Sequence, residues 1–304
     1  MIIFGLLFMY LSYTSIGGTM NIFDNLLNDL MIMFQNFFVH KNFLPEYVPG
    51  KLFTPIQIFL EILLIIFIIW SARYVAKKRQ DLIIPIFKFM FFFLVIFEIV
   101  IVTWDTVAGG VGFDFQTSLS LYPCSIFMYV LPFIVWNKGI YRQMACGYIS
   151  TLGLIGALIN FLYPFSKLTD YSMISFASLH TFTYHGSMLF AFLVIYMSGM
   201  HNYKGVKRFG QMFLASMPGL LLSIPANIIN YSPLHADYMY FTNQLFISKA
   251  ILGDMPALKA TLIMYAVYLI LPAIFYVPSY LRNLAKRHEF SLGRILANLI
   301  SISN

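Results

Sequence analysis

Charged side chains are scarce in this chain. Asp, Glu, Lys and Arg make up 10% of the 304 residues, whereas 60% of the residues are hydrophobic and 18% are aromatic. A soluble globular domain has about 25% charged residues. The mean hydropathy of +0.79 therefore predicts a chain that folds in a bilayer, as an all-α polytopic transmembrane helix bundle.

Cysteine is almost absent, with only Cys124 and Cys146, and both lie in apolar runs. Two such cysteines exclude a disulfide framework, a zinc site built on Cys spacing and a Cys-x-x-Cys redox pair. The richness in Ile, Phe, Asn, Lys and Tyr is typical of an AT-rich genome and favours a bacterial source. No metal or organic cofactor is predicted.

The net charge of +7 would suggest a nucleic-acid partner in a soluble protein. Here the positive residues lie between apolar runs, which is typical of cytoplasmic loops next to anionic lipid. Nucleic acid is therefore excluded as a partner. The opening stretch "MIIFGLLFMYLSYTSIGG" has no positive n-region and no signal-peptide cleavage site, so it is predicted to be a retained apolar segment.

Seven apolar runs are long enough to cross a membrane, since a spanning helix needs about 20 mostly apolar residues. An eighth run, near 2–18, is either a short span or an interfacial helix. The seven runs fall within 55–75, 83–107, 117–136, 140–162, 173–199, 209–230 and 258–280.

The loops between these runs alternate in charge. The basic loops are "ARYVAKKRQD", "NKGIYR", "HNYKGVKR" and the residues after the last run, which together hold 13 of the 19 Lys and Arg. The acidic residues lie mainly in the alternate loops. The positive-inside rule then predicts a plasma-membrane protein whose C-terminus lies on the cytoplasmic side. Residues 21–54 are predicted to lie on the outer side.

One membrane domain is predicted, without internal repeats. Residues 1–54 form an outer apolar and amphipathic segment, 55–285 the transmembrane bundle and 286–304 a cytoplasmic tail. Within the first segment, "DNLLNDLMIMFQNFF" has helical spacing with polar residues on one side, so it is predicted to lie along the outer interface.

Ionisable side chains inside a membrane are costly and are candidates for function. Glu61 and Lys88 lie near the ends of their runs, where structural roles are favoured. Glu98 lies deeper and needs a partner or a proton. His180 and His185 are five residues apart and point about 140° apart on a helix, so they do not both face one haem iron.

The segment "SLYPCSIF" carries Cys124 in the outer half of a predicted span. A cysteine in an apolar setting usually packs as a small hydrophobe. If the imidazole of His185 lies against it, however, the pair becomes a nucleophile and its base, able to form a thioester. The linear spacing leaves both readings open, whereas Cys146 is read as packing.

Five short segments resemble segments of a known family. They are "SLYPCSIF", "YISTLGLIGALINFLYP", "FTYHGSMLFAFLVIYM", "NIINYSPLHADYMYF" and "LGDMPALKATLIMYAVYLILPAIFYVP". In this order they resemble the YwaF-type family of bacterial integral membrane proteins, which has vertebrate relatives. Two departures stand out: Tyr122 and Pro123 replace a His-Leu pair before the cysteine, and Asp237 replaces an Asn.

The vertebrate branch of that family is regarded as phospholipid acyltransferases that work through a cysteine thioester. The resemblance therefore implies acyl transfer on membrane phospholipids, with Cys124 as nucleophile and His185 as base. Further candidates for substrate binding or for donating to the oxyanion are Asn227, Asn230, Tyr238, His180 and Glu98.

Two other functions stay open. Glu98, His180 and His185 could form the proton-coupled cluster of a transporter or small-molecule binder, although no inverted repeat supports it. Alternatively, Cys124 and His185 only pack, in a non-catalytic membrane protein. The sequence leaves the acceptor, lysolipid or water, and the oligomeric state undetermined.

Overall fold

A computed structural model of the chain describes residues 22–48, 52–110, 113, 121–164, 168–203, 206–229, 238–240, 253, 255–278 and 280–281. Within those residues the chain forms eight main helices and no strand, so the prediction of an all-α fold is confirmed. The helices are α1 (Ile22–Gln35), α2 (Pro55–Lys78), α3 (Ile83–Gly109), α4 (Ile126–Val135), α5 (Ile140–Leu162), α6 (Phe176–Ser198), α7 (Val206–Ile229) and α8 (Ala257–Ala273).

Four described helices are long and apolar enough to cross a membrane. They are Pro55–Lys78, Gln80–Gly109, Ile140–Leu162 and Lys207–Ile228. Each coincides with a predicted run, because a chain in hydrocarbon satisfies its backbone N–H and C=O groups most directly within a helix. α5 contains a π-helical segment at Ile149–Gly153 but continues through it.

The predicted count of seven spans is not confirmed. In the run 117–136 the described helix covers only Ile126–Val135, and in the run 258–280 it covers Ala257–Ala273, with Pro272 in its last turn. The run 173–199 forms the 23-residue helix α6. The most apolar stretch of α6 has a lower mean hydropathy than the four spans, because α6 contains polar His, Ser and Thr residues.

Two predictions fall on residues outside the described part. These are the eighth run near 2–18 and the cytoplasmic tail 286–304. The orientation, and the boundaries at 54 and 285, remain predictions.

The chain divides into two compact units. The first contains residues 1–72, 92–114 and 157–190, and the second contains 73–91, 115–156 and 191–304. In the first unit an aromatic cluster surrounds the start of α6: the Phe176 ring lies 5.4, 5.8 and 5.3 Å from the rings of Phe38, Phe97 and Trp104.

In the second unit, glycines set the approach of α7 to two other helices. A Cβ on Gly147 of α5 would lie 2.9 Å from the Cβ of Met212, and one on Gly219 of α7 would overlap the Ile126 side chain of α4. Small residues allow transmembrane helices to pack this closely. This packing places α5 and the start of α4 against α7.

The link between α6 and α7 runs along α5. The Gln143 side chain donates to the Met200 carbonyl at 2.9 Å, and the His201 Nε2 lies 3.1 Å from the Tyr276 hydroxyl. His201 is only 7% exposed. Burial, and then the nearby charge of Arg208, lower the pKa of His201 to about 4.

We expect this histidine to make stability depend on pH. Its folded-state pKa lies below the ordinary value of about 6.5, so the unfolded chain binds more protons between pH 6.5 and 4. The contribution of His201 is complete above pH 6.5 and is lost as the pH falls through that window. The melting temperature in detergent should therefore drop less between pH 7 and 4 for His201→Gln than for the parent. An equal drop in both would contradict the assignment.

Candidate functional site

Cys124 lies in a turn that leads into α4. The Ile126 N–H donates to the Tyr122 carbonyl at 3.2 Å, and the Phe127 N–H donates to the Cys124 carbonyl at 3.0 Å. The prediction that Cys124 lies within a helix, in the outer half of the span 117–136, is therefore wrong. The reason is local: Pro123 disfavours helical backbone at the residue before it, and α4 begins only at Ile126.

Tyr148 of α5 anchors this turn. Its side chain is fully buried, and its hydroxyl donates to the Pro123 carbonyl at 2.5 Å. Cys124, the next residue after Pro123, is half-buried. The peptide before the thiol is thus held by a side chain from another helix.

Tyr148 was missed as a site residue by sequence reasoning. The available signal was its type and place, since a buried tyrosine hydroxyl in an apolar run needs a hydrogen-bond partner. Nothing in the linear sequence says that this partner lies 25 residues earlier, at Pro123.

Tyr238 and Asn227 form a second part of the same site. The Tyr238 ring is fully buried and lies 5.4 Å from the ring of Tyr122, two residues before Cys124. Asn227 of α7 holds the Tyr238 backbone at both polar groups: its Nδ2 donates to the carbonyl at 2.8 Å, and its Oδ1 accepts from the N–H at 2.7 Å. We call Tyr122, Cys124, Tyr148, Asn227 and Tyr238 the thiol cluster.

Tyr238 lies in the short helix Tyr238–Tyr240, which is also held by α8. Met239 has a φ of 58°, in the left-handed region that few non-glycine residues adopt. The Tyr268 hydroxyl of α8 donates to its carbonyl at 3.2 Å. Such a conformation persists where the surrounding structure holds it in place. Here Asn227 of α7 and Tyr268 of α8 hold the backbone on either side.

Asn227→Ala is expected to lower the free energy of unfolding by about 2–4 kcal/mol, because it leaves the buried N–H and C=O of Tyr238 without these partners. The measurement is unfolding of the purified protein in detergent. Asn28→Ala serves as control, since Asn28 is exposed on α1, and should change stability by less than about 0.5 kcal/mol. Equal effects for the two variants would contradict the role of Asn227.

His185 belongs to the first unit, on α6, whereas Cys124 belongs to the second. The His185 Nδ1 lies 2.8 Å from the Thr181 carbonyl oxygen. A carbonyl only accepts, so Nδ1 carries the hydrogen and donates it, which leaves the lone pair on Nε2. This tautomer is the one that a base acting through Nε2 needs. The pairing of His185 with Cys124 stays a prediction.

Glu98 of α3 and His180 of α6 meet within the first unit. The Glu98 Oε2 lies 2.9 Å from the His180 Nε2, with the two side chains 19% and 14% exposed. The rings of Phe97 and Tyr184 lie 5.0 and 5.8 Å from the His180 imidazole. The sequence predicted that Glu98 needs a partner or a proton. Its partner is His180, 82 residues later in the chain.

The remaining candidates are less informative. Gln57 donates to Glu61 at 2.7 Å inside α2, consistent with the structural role predicted for Glu61. Cys146 is fully buried. Asn230 lies outside the described residues. Within the described part of the chain, no three His, Cys, Asp or Glu side chains are grouped so as to hold a metal ion.

A sequence profile of one transmembrane family matches residues 47–280 of the chain. This range covers more than half of the chain and includes Cys124, His185 and Asn227. The chain belongs to the TMEM164 family. Membership in the TMEM164 family agrees with the four spanning helices, so the protein is a membrane protein. The comparison does not give the YwaF-type name that the motifs suggested. No curated protein and no solved structure matches the chain.

Proposed function

We propose that this TMEM164-family protein transfers fatty acyl chains between phospholipids through a thioester on Cys124. The observation that carries the proposal is the placement of the thiol, half-buried in a turn that Tyr148 ties to α5. A nucleophile must be held in a defined position to react efficiently. In a membrane protein, lipid esters are the acyl donors present at high concentration around such a thiol.

The first half of the reaction would load the enzyme. The Nε2 of His185 takes the thiol proton, and the sulfur of Cys124 attacks the carbonyl carbon of a phospholipid ester. The S–C bond forms as the C–O bond to the glycerol breaks. The proton then passes from His185 to the departing oxygen, which leaves a lysophospholipid and a thioester.

The second half reverses these roles with a different alcohol. The hydroxyl of an acceptor lysophospholipid gives its proton to His185, and its oxygen attacks the thioester carbonyl. The C–S bond breaks, and the thiolate recovers the proton. With water as acceptor, the same steps release a fatty acid. Neither half requires a metal, a redox partner or an organic cofactor.

The thiol cluster offers donors for the oxyanion that forms at each attack. One hydrogen of the Asn227 Nδ2 is bonded to Tyr238, which leaves the second as a candidate donor. The Tyr238 hydroxyl is another candidate, since its ring packs beside the turn that carries Cys124. One such donor typically contributes a factor of about 10² to 10³ in rate.

A reactive-probe experiment tests the proposal. Membranes are treated with an electrophile that carries an acyl chain, and modified peptides are quantified by mass spectrometry. We expect labelling at Cys124 that falls sharply in His185→Ala. Cys146 serves as an internal control and should stay unlabelled because it is fully buried. Labelling of Cys124 that does not respond to His185 would argue against the enzyme.

The Glu98–His180 pair supports one alternative function, a proton-coupled transporter. A carboxylate and an imidazole 2.9 Å apart inside a predicted span are typical of intramembrane proton pathways. This alternative predicts proton flux into proteoliposomes, followed with a trapped pH-sensitive dye. That flux should vanish in Glu98→Gln and persist in Cys124→Ala, whereas the acyltransferase proposal predicts no flux in either.

A further inference from the structure

The helix α1 presents three faces that differ in character. Successive residues of a helix are turned by about 100°, so Leu27, Met31 and Phe34 fall within about 60° of one another. These three side chains are 43%, 57% and 63% exposed. The next face around the helix packs against the protein through Leu30 and the fully buried Met33. The remaining face carries Asn25, Asn28 and Asp29, with the partly exposed Ile32 among them.

The chain after α1 is fastened to the end of α3. We call residues 37–43 the strap. The Trp104 Nε1 donates to the Phe38 carbonyl at 3.1 Å, and the Asn42 Nδ2 donates to the Gly109 carbonyl at 2.9 Å. On the other side, the Phe176 N–H donates to the Phe37 carbonyl at 2.8 Å.

His40 is the centre of the strap. It is 5% exposed, and its Nδ1 accepts from the Asn42 N–H at 3.3 Å. Its Nε2 therefore carries the hydrogen and donates to Asp105 at 2.9 Å. The imidazole lies against Gly109, where a Cβ would come within 3.1 Å of the ring. These contacts fix the strap, and with it α1, relative to the last turns of α3.

Those last turns lie at the end of a helix long and apolar enough to span a membrane. On the way to this end, α3 exposes apolar side chains such as Ile99 and Val107, at 61% and 75%. Trp104 and Tyr171, whose rings lie 6.1 Å apart there, are of the residue types enriched at membrane interfaces. The strap therefore holds α1 beside the end of α3, where these residue types place the boundary between hydrocarbon and water.

We propose that α1 is an interfacial helix whose Leu27, Met31 and Phe34 insert among the lipids of the adjoining leaflet. The polar face then turns to the headgroups and water, while Leu30 and Met33 stay on the protein. This placement gives each of the three faces a matching environment. It does not rest on acyl transfer.

The sequence of α1 also indicates which lipids are needed for its insertion. It contains Asp24 and Asp29 but no Lys or Arg, so the helix has no basic side chains with which to attract anionic headgroups. Insertion is therefore driven by burial of apolar side chains and should be independent of anionic lipid and of salt.

Site-specific fluorescence in bilayers tests this proposal. Single cysteines replace Met31 or Phe34 on the apolar face and, as matched controls, Asn25 or Asn28 on the polar face. The background is the full-length chain with Cys124→Ser and Cys146→Ala. Each variant is labelled with an environment-sensitive fluorophore and reconstituted into phosphatidylcholine vesicles. Quenching is then compared between lipid-attached bromine and aqueous iodide.

We expect bromolipid to quench labels at 31 and 34 several times more strongly than labels at 25 and 28, with the reverse order for iodide. Adding phosphatidylglycerol or 0.5 M salt should leave this pattern unchanged. Equal access of iodide to all four labels would overturn the proposal, because α1 would then lie in water. Protection of 31 and 34 from both quenchers would also overturn it, because protein would then cover the face.

Discussion

The acyl transfer that we propose should fall by roughly 10³-fold or more when Cys124 is replaced by alanine, since the proposed covalent catalysis is lost with its nucleophile. The rate is measured with purified protein in liposomes that contain an isotope-labelled donor phospholipid and a lysophospholipid acceptor, with products quantified by mass spectrometry. The effect should be this large because Cys146, the other cysteine, is fully buried in α5 and offers no substitute.

Cys146→Ala is the matched control for that experiment and should retain activity within about twofold, after correction for the amount of folded protein. A covalent readout complements the rates. Parent protein incubated with donor lipid should carry an acyl group on Cys124 that neutral hydroxylamine removes, as expected of a thioester. Transfer at the parent rate by Cys124→Ala would exclude a cysteine mechanism, and the transporter alternative would then gain weight.

His185→Gln is expected to reduce acyl transfer by about 10² to 10⁴, the usual contribution of a general base. Glutamine fills similar space but cannot take a proton at the position of Nε2. The assay is the same liposome reaction, with Asn28→Ala as a control because Asn28 is exposed on α1 and takes no part in the proposed chemistry. Addition of imidazole to His185→Ala should restore part of the activity.

Two outcomes would count against His185 as the base. The first is an unchanged rate in His185→Gln. The second is a loss of rate that neither imidazole nor higher pH relieves, because such a loss would indicate a structural role. Either result would leave Cys124 testable by itself, since its acylation is measured separately.

The spanning helices could be predicted well from sequence, and the reason is local. A chain inside hydrocarbon satisfies its backbone through bonds between residues four apart, so a long apolar run is enough to predict a helix. The runs 55–75, 83–107, 140–162 and 209–230 accordingly match the four spanning helices. The amphipathic helix at the N-terminal end was also predicted, and it is α1.

The same argument explains the error around Cys124. Average hydropathy over 117–136 is high whether or not the backbone is helical throughout. The turn at residues 121–125 is itself built from apolar and aromatic residues, and it ends only where α4 begins at Ile126. Hydropathy therefore does not distinguish a long span from a turn followed by a short helix.

The apolar content, the scarcity of charge and the helical periodicity follow from the linear chain, and they suffice to make this a helical membrane protein. Which polar groups meet follows only from the tertiary structure. The pairs Glu98–His180, Tyr148–Pro123 and His40–Asp105 join residues 82, 25 and 65 positions apart. A buried polar group requires a partner, but the partner's identity depends on which helices pack together, and sequence spacing does not contain that information.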